Sequence, residues 1–145
     1  MSFSKEDRLF MLQALTLAWM AKGTTAPNPA VGAVAVKGGR IIASGYTQPP
    51  GGFHAERIAL SSLSLEESAG ATLYVTLEPC CFYGRTPPCT DMIIEKKIRR
   101  VVFAVQDPHA EVAGKGAQVL KKAGIQVEQG LLQKECAAIN RDFFI

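Results

Sequence analysis

The stretch Thr72-Leu73-Tyr74-Val75-Thr76-Leu77-Glu78-Pro79-Cys80 decides how the rest of the chain is read. Its first six residues are rich in β-branched and aromatic side chains and read as a strand. Cys80 follows Pro79 at the end of that strand. The next residues, Cys81-Phe82-Tyr83-Gly84-Arg85-Thr86-Pro87-Pro88-Cys89, bring two more thiols within reach. Each proline bars its predecessor from helical geometry, so a new helix is expected to open at Cys89 and run over Thr90–Lys97. Upstream, His54-Ala55-Glu56 begins an apolar run, with Ile58, Leu60 and Leu63, that predicts a helix over His54–Leu65. An imidazole, a carboxylate and two thiols therefore all stand at ends of regular elements, where side-chain geometry can be fixed.

Working outward, Lys5–Lys22 predicts a helix. Leu9, Leu12, Leu15 (or Thr16) and Trp19 recur at helical spacing, Ser4 with Asp7 offers an N-terminal cap, and Gly23 ends it. In the turn-rich loop that follows, Asn28 sits between Pro27 and Pro29, which hold it extended. Its amide is then available to a ligand or to neighbouring backbone. Val31–Val36 and Arg40–Gly45 read as strands joined through Lys37-Gly38-Gly39, a hairpin signal. Pro49-Pro50-Gly51-Gly52 interrupts regular structure before His54. Beyond the cysteines come a strand at Val101–Val105, a polar loop at Gln106–Val112, and a short helix at Gly114–Ala123 ended by Gly124. A strand at Ile125–Glu128 and a last helix at Leu131–Phe144 carrying Cys136 complete the chain. Strands alternate with helices after the hairpin. That order favours an α/β sheet with helices on both faces, antiparallel at the hairpin and parallel where crossovers intervene.

The chain has 145 residues, 48% of them hydrophobic and 20% charged, which suits one globular domain over 1–145 with one substantial core. A net charge of +3 is mild. Lys96, Lys97, Arg99 and Arg100 cluster locally and read as a solvated helix end, not a nucleic-acid patch. No clean apolar signal region and no stretch of about 18 to 20 apolar residues occurs, so neither a secretion signal nor a membrane span is expected. Three of the four cysteines fall within ten residues, Cys80 to Cys89. Without a secretion signal, that crowding favours metal ligation in a reducing, cytoplasmic compartment over a disulfide framework.

A hydrolytic zinc centre needs three protein ligands and one position left for water. His54, Cys80 and Cys89 supply an imidazole and two thiolates, whose charge roughly cancels that of the Zn2+. Helix N-termini at His54 and Cys89 favour thiolate over thiol. Glu56, in the first turn of its helix, can reach the open position without ligating and act as general acid and base. A closed, purely structural zinc site is the rival reading, with Cys81 as fourth ligand, but adjacent ligands are awkward and Glu56 is then unexplained. Cys81 otherwise reads as pocket wall, Cys136 as a small core residue, His109 as a surface or substrate contact, and Glu78 as an acceptor supporting the ligands or a solvated strand end.

A histidine two residues before a glutamate, followed by Pro-Cys and a further cysteine, is the residue set of zinc deaminases. Here the second cysteine follows the first by nine residues. With Pro27-Asn28-Pro29-Ala30-Val31-Gly32-Ala33-Val34, Gly84-Arg85-Thr86-Pro87-Pro88-Cys89, Gln106-Asp107-Pro108 and Val112-Ala113-Gly114-Lys115-Gly116, the chain resembles the deaminase domain of bifunctional riboflavin-biosynthesis proteins, the diaminohydroxyphosphoribosylaminopyrimidine deaminases of the cytidine-deaminase-like superfamily. The resemblance implies a three-layer α/β/α fold around a mixed five-stranded sheet. It implies a phosphoribosylated pyrimidine as substrate, with Asn28 touching the pyrimidine, Arg85 and Thr86 the phosphoribosyl part, and Asp107 the ribose. Independently, a guanidinium in a Gly-containing loop beside the metal, Arg85, suits a phosphate. By analogy the chain is expected to form a homo-oligomer, a dimer or tetramer.

Three positions depart from the family pattern. Thr47 and Phe82 stand where histidines are usual, and His109 where asparagine follows Asp-Pro. All three are expected on the substrate side, which keeps a deaminase of another amino-heterocycle as the alternative. A metal-stapled, non-catalytic interaction module is a third reading. In the two-domain family proteins an NADPH-dependent reductase domain follows a stretch like Leu131–Phe144; a stand-alone deaminase and a chain cut at that boundary both fit the sequence.

Overall fold

The structure, a computed structural model, describes residues 3–81, 87–108 and 113–141. Within them the elements run α1 (Lys5–Ala21), β1 (Gly32–Lys37), β2 (Arg40–Tyr46), α2 (Ala55–Ser61), α3 (Leu65–Ser68), β3 (Thr72–Leu77), α4 (Cys89–Glu95), β4 (Arg100–Val105), α5 (Lys115–Lys122), β5 (Gln126–Gln129) and α6 (Gln133–Ile139). The five strands form one mixed sheet in the order β2-β1-β3-β4-β5. β1 is antiparallel to both β2 and β3, whereas β3, β4 and β5 are parallel. β2 and β3, both antiparallel to β1, are therefore parallel to each other across the helical crossover. The alternation of helix and strand in the sequence predicts this arrangement. The C-terminal ends of β2, β3, β4 and β5 and the N-terminal end of β1 all lie along one edge of the sheet, the usual place for a ligand site in an open α/β sheet.

The hairpin turn uses two glycines in succession at positive φ, Gly38 at 61° and Gly39 at 77°, a conformation that side chains disfavour and that matches the twist of the flanking strands. On one face α1 and α6 pack on the sheet and on each other; on the other lie α2, α4 and α5. Between them sit Phe103, Met11, Leu60, Leu73, Ile93, Leu120 and Val75, all fully buried. Each large aliphatic or aromatic group removed from water in this way contributes about 1.5–3 kcal/mol.

α1 begins where the sequence predicts, with a reciprocal cap. Ser4 Oγ accepts from Asp7 N at 3.0 Å and Asp7 Oδ2 accepts from Ser4 N at 3.1 Å. The face it buries is not the one carrying the regularly spaced large residues. Leu9 and Trp19 are 60% and 54% exposed, and the buried stripe is Asp7, Met11, Ala14, Ala18 and Ala21. The cause is close approach. A Cβ on Gly32 would fall 1.9 Å from the Ala14 carbonyl oxygen, so α1 lies against β1 at a distance only alanine and glycine allow.

The helix expected over His54–Leu65 ends early, and a separate short helix begins at its last residue. α2 stops at Ser61, and Ser64 starts α3 with a second reciprocal cap, its hydroxyl accepting from Glu67 N while Glu67 Oε1 accepts from Ser64 N. His54 is correspondingly the extended N-cap residue of α2, not part of its first turn. α6 ends at Ile139, short of the expected Phe144. The Asn140 side chain is drawn to Ala30 instead, accepting from its N–H at 2.8 Å and donating to its carbonyl at 2.7 Å.

Candidate metal centre

The loops after β2 and β3 leave the same sheet edge, and that topology brings the separated ligand residues together. After β2 the chain turns through Thr47–Phe53, with Gln48 N donating to the Phe53 carbonyl and Gly52 N to the Pro49 carbonyl, and delivers His54 as the cap of α2. After β3 it passes through Glu78 and Pro79 to Cys80. α4 then starts at Cys89, with the extended Pro88 as its N-cap. The first amides of α4 clasp Cys80: Cys89 N donates to Cys80 Sγ at 3.3 Å and Thr90 N to the Cys80 carbonyl at 3.2 Å. Arg57, on α2, donates to the Pro87 carbonyl at 3.3 Å and stacks over the Phe53 ring, tying the His54 helix to the segment that leads into Cys89.

His54 Nδ1 lies 3.7 Å from Cys80 Sγ and 3.4 Å from Cys89 Sγ, and the three atoms all fall within 4.8 Å of one another. A tetrahedral zinc bound by one nitrogen and two sulfurs at ordinary bond lengths places N and S about 3.5 Å apart. The donor set and its spacing therefore fit a zinc ion. Neither Cys81 nor Glu56 joins this cluster, so among the described residues three atoms converge and no fourth protein ligand closes the site. The closed structural site with Cys81 as fourth ligand is thereby set aside.

The electrostatics are those of a site that wants a cation. Cys80 is pushed down towards thiolate by the Cys89 thiol and by His54, against its own burial. Cys89 in turn is pushed up, first by its contact with Cys80 and then by burial, because two bare thiolates repel at this distance. His54 is raised by its contact with Cys80. Glu56, 5% exposed, is pushed up to about 7 by burial and by the nearby Cys80, while contact with the Cys89 thiol favours its ionised form. A dication removes the conflict between the sulfurs, since both can then ionise.

The residues expected to touch substrate are placed less completely. Asn28 is exposed, in a cleft of about 330 Å³ lined also by Lys22, Thr25, Pro27 and Asn140, which contains none of the three ligand residues. Its backbone is held by Thr25, whose carbonyl accepts from Asn28 N at 2.8 Å. Asp107 is half-buried just beyond β4 on the same sheet edge. Arg85, Thr86 and His109, like Phe82, lie outside the described residues. Thr47 is buried, and its hydroxyl accepts from Val31 N at 3.0 Å and is engaged with the Val31 carbonyl as well. That position thus ties two segments of backbone together, where the sequence reading put it on the substrate side. Cys136 is buried on α6 and pushed up to about 12 by burial, as befits a core thiol. Sequence reasoning missed Asn140, whose partner is 110 residues away. It also gave no indication of the three backbone partners of Glu78.

Comparison with known proteins agrees with this geometry. The family described as the cytidine and deoxycytidylate deaminase zinc-binding region matches residues 4–105. The chain is 51% identical over 138 residues to the riboflavin biosynthesis protein RibD of Actinobacillus pleuropneumoniae, covering 95% of this chain and 36% of that protein. It is 42% identical over 139 residues to the diaminohydroxyphosphoribosylamino-pyrimidine deaminase of Buchnera aphidicola subsp. Schizaphis graminum, covering 96% of this chain and 94% of that one. The solved structure of Acinetobacter baumannii RibD, form 2, superposes with a TM-score of 0.93 at 45% identity, over 97% of this chain and 39% of the other. The chain thus spans a little over a third of the length of the RibD proteins it matches, and nearly all of the Buchnera protein.

Proposed function

Because the chain belongs to the cytidine and deoxycytidylate deaminase zinc-binding family, we propose that it is a zinc-dependent hydrolase that removes one amino group from 2,5-diamino-6-(5-phosphoribosylamino)pyrimidin-4(3H)-one, releasing ammonia, in riboflavin biosynthesis. The observation that carries the reading is the convergence of His54 Nδ1, Cys80 Sγ and Cys89 Sγ beside a buried carboxylate that is not itself in the cluster. The likeness to the Buchnera protein along nearly its whole length supports the choice of substrate. Residues 1–145 act as one deaminase domain in this reading.

His54, Cys80 and Cys89 would hold a zinc ion, which would supply Lewis acidity and make a water easier to deprotonate. The chain's own residues do the rest. Glu56 takes the proton of the attacking water onto its carboxylate and gives it to the ring nitrogen beside the carbon under attack. It then takes the remaining proton of the added hydroxyl and passes it to the departing amine, so that the C–N bond breaks, a C=O bond forms and ammonia leaves. Burial keeps that carboxylate out of bulk water and beside the metal site. Asn28 contacts the pyrimidine, Arg85 and Thr86 the phosphoribosyl group, and Asp107 the ribose, with His109 on the same side. Cysteines that bind a metal instead of pairing suit a cytoplasmic setting, and a dimer or tetramer is expected as for other members of the family.

No helix of the described residues is long and apolar enough to cross a membrane. The test is ammonia release from the pyrimidinone phosphate with zinc quantified in the same sample. Stoichiometric zinc with turnover supports the reading. Robust turnover of cytidine with none of the pyrimidinone phosphate would replace it with deamination of another amino-heterocycle.

A further inference from the structure

Glu78 is 3% exposed, two residues before Cys80, and its carboxylate touches no group of the metal cluster among the described contacts. It gathers backbone amides from a different part of the chain. Oε1 accepts from Asp107 N and from Gly114 N, both at 3.1 Å, and Oε2 accepts from Ala117 N at 3.1 Å. Its own N–H donates to the Val105 carbonyl at 2.9 Å, which carries the pairing with β4 one residue past the end of β3. An ionised carboxylate only accepts, and three donors converging on it offset the large cost of burying it.

Two further features show that this part of the fold is built around Glu78. Gly114 caps α5 in the left-handed conformation, φ 76°, and offers no side chain to the free amides of the first turn. Glu78 supplies the missing acceptor from another element, and its charge suits the positive end of the helix. Gly116 lets α5 settle against the peptide ahead of Cys80: a Cβ there would lie 2.2 Å from the Pro79 carbonyl oxygen and 3.3 Å from the Glu78 side chain.

We infer that Glu78 is a positioning residue for substrate binding: it fixes Asp107 and the start of α5 against the cysteine segment, so that the ribose-side wall is held in register with the metal centre. The inference rests on the proposed role of Asp107. Glu78 acts through that residue and not on the reacting atoms, so its loss weakens binding more than turnover.

The test is Glu78→Gln in the zinc-loaded protein. The substitution keeps the shape and turns one acceptor into a donor, which then faces an amide N–H. Amide exchange at Asp107, Gly114 and Ala117 is expected to quicken by about tenfold or more. Zinc content stays at the wild-type level. KM for the pyrimidinone phosphate rises about tenfold, while kcat changes by less than about threefold. In an Asp107→Ala background the same substitution adds little further to KM, because the residue it acts through is gone. Unchanged amide exchange, unchanged KM, loss of zinc, or full additivity with Asp107→Ala would each overturn the inference. If wild-type protein does not turn over this substrate, the functional reading fails, and the exchange data still decide whether Glu78 holds the segment. Should Glu78→Gln not fold, Gly116→Ala carries the test by forcing α5 off Pro79; a raised KM with zinc retained supports the inference, and an unchanged KM overturns it.

Discussion

Cys89 Sγ stands 3.4 Å from His54 Nδ1 although 35 residues separate them in the chain. The contact follows from strand order. β2 and β3 run parallel on either side of β1, so the residues that leave their C-terminal ends meet at one edge, and α4 returns Cys89 to the same place. Removing either group leaves two protein ligands. Cys89→Ser is expected to lower zinc affinity by more than the 10- to 100-fold that loss of a supporting hydrogen bond usually costs. Zinc content after dialysis against a weak chelator measures it, and retention of stoichiometric zinc would show that this sulfur is not a ligand.

Glu56→Gln separates proton transfer from metal binding. The carboxylate lies outside the ligand cluster, so the variant keeps its zinc. A glutamine cannot take a proton from water or hand one to a leaving amine, and kcat is expected to fall by about 10²- to 10⁴-fold. Ammonia release and metal analysis on the same preparation check both halves. Wild-type turnover in the variant would remove Glu56 from the reaction.

What was legible in the sequence was local. The ends of β3, the start of α4, the cap at Ser4 and the Gly38-Gly39 turn are set by residues within a few positions of each other, and the structure has them where the spacing predicts; α4 stops at Glu95, short of the expected Lys97. The convergence of His54, Cys80 and Cys89 was legible because these residue types have few other uses in that pattern. The face of α1 was not. Periodicity marks large apolar residues, whereas contact with β1 selects small ones, and only the neighbouring Gly32 reveals how near the sheet comes. The join of Asn140 to Ala30 spans 110 residues, and the Glu78 contacts span 29 to 39. No local pattern encodes such pairs, because backbone amides carry no sequence signature.

A buried ionic network at the opposite edge of the sheet predicts how stability depends on pH. The Arg100 guanidinium beside Asp7, bonded at 2.9 and 3.2 Å, holds the Asp7 carboxyl well below the usual carboxylate range, helped by the Tyr74 hydroxyl at 2.5 Å and by Ser4 N and opposed by burial. A depressed carboxylate contributes stability that is complete above its unfolded value of about 3.9 and disappears as the pH falls through the lower folded value. Asp7→Asn is therefore expected to destabilise the protein at pH 7 by about 3 kcal/mol, the lower end for a broken buried pair, because Glu128 still partners Arg100 at 2.6 Å. Urea titrations should show the gap between wild type and variant intact at pH 6 and narrowing below pH of about 4. A gap that stays constant into strong acid would mean that Asp7 contributes shape and not charge.

The packing of α1 on β1 inverts the usual expectation that large residues matter most. A Cβ on Gly32 would meet the Ala14 carbonyl oxygen at 1.9 Å and the Ala18 nitrogen at 2.8 Å, both backbone atoms that no rotamer change can move aside. Gly32→Ala must lift the helix off the sheet, and a cost at or above about 3 kcal/mol is expected, the upper end for overpacking. At roughly 2–4 °C per kcal/mol for a chain of this size, the melting temperature falls by about 6–12 °C. Leu9, 60% exposed on the outer face of the same helix, makes the contrast, since Leu9→Ala is expected to change stability by no more than about 0.5 kcal/mol. Thermal melts of the two variants side by side decide the matter. If losing the leucine costs more than adding one methyl group at Gly32, α1 is seated by its outer stripe and the close approach is not what fixes it.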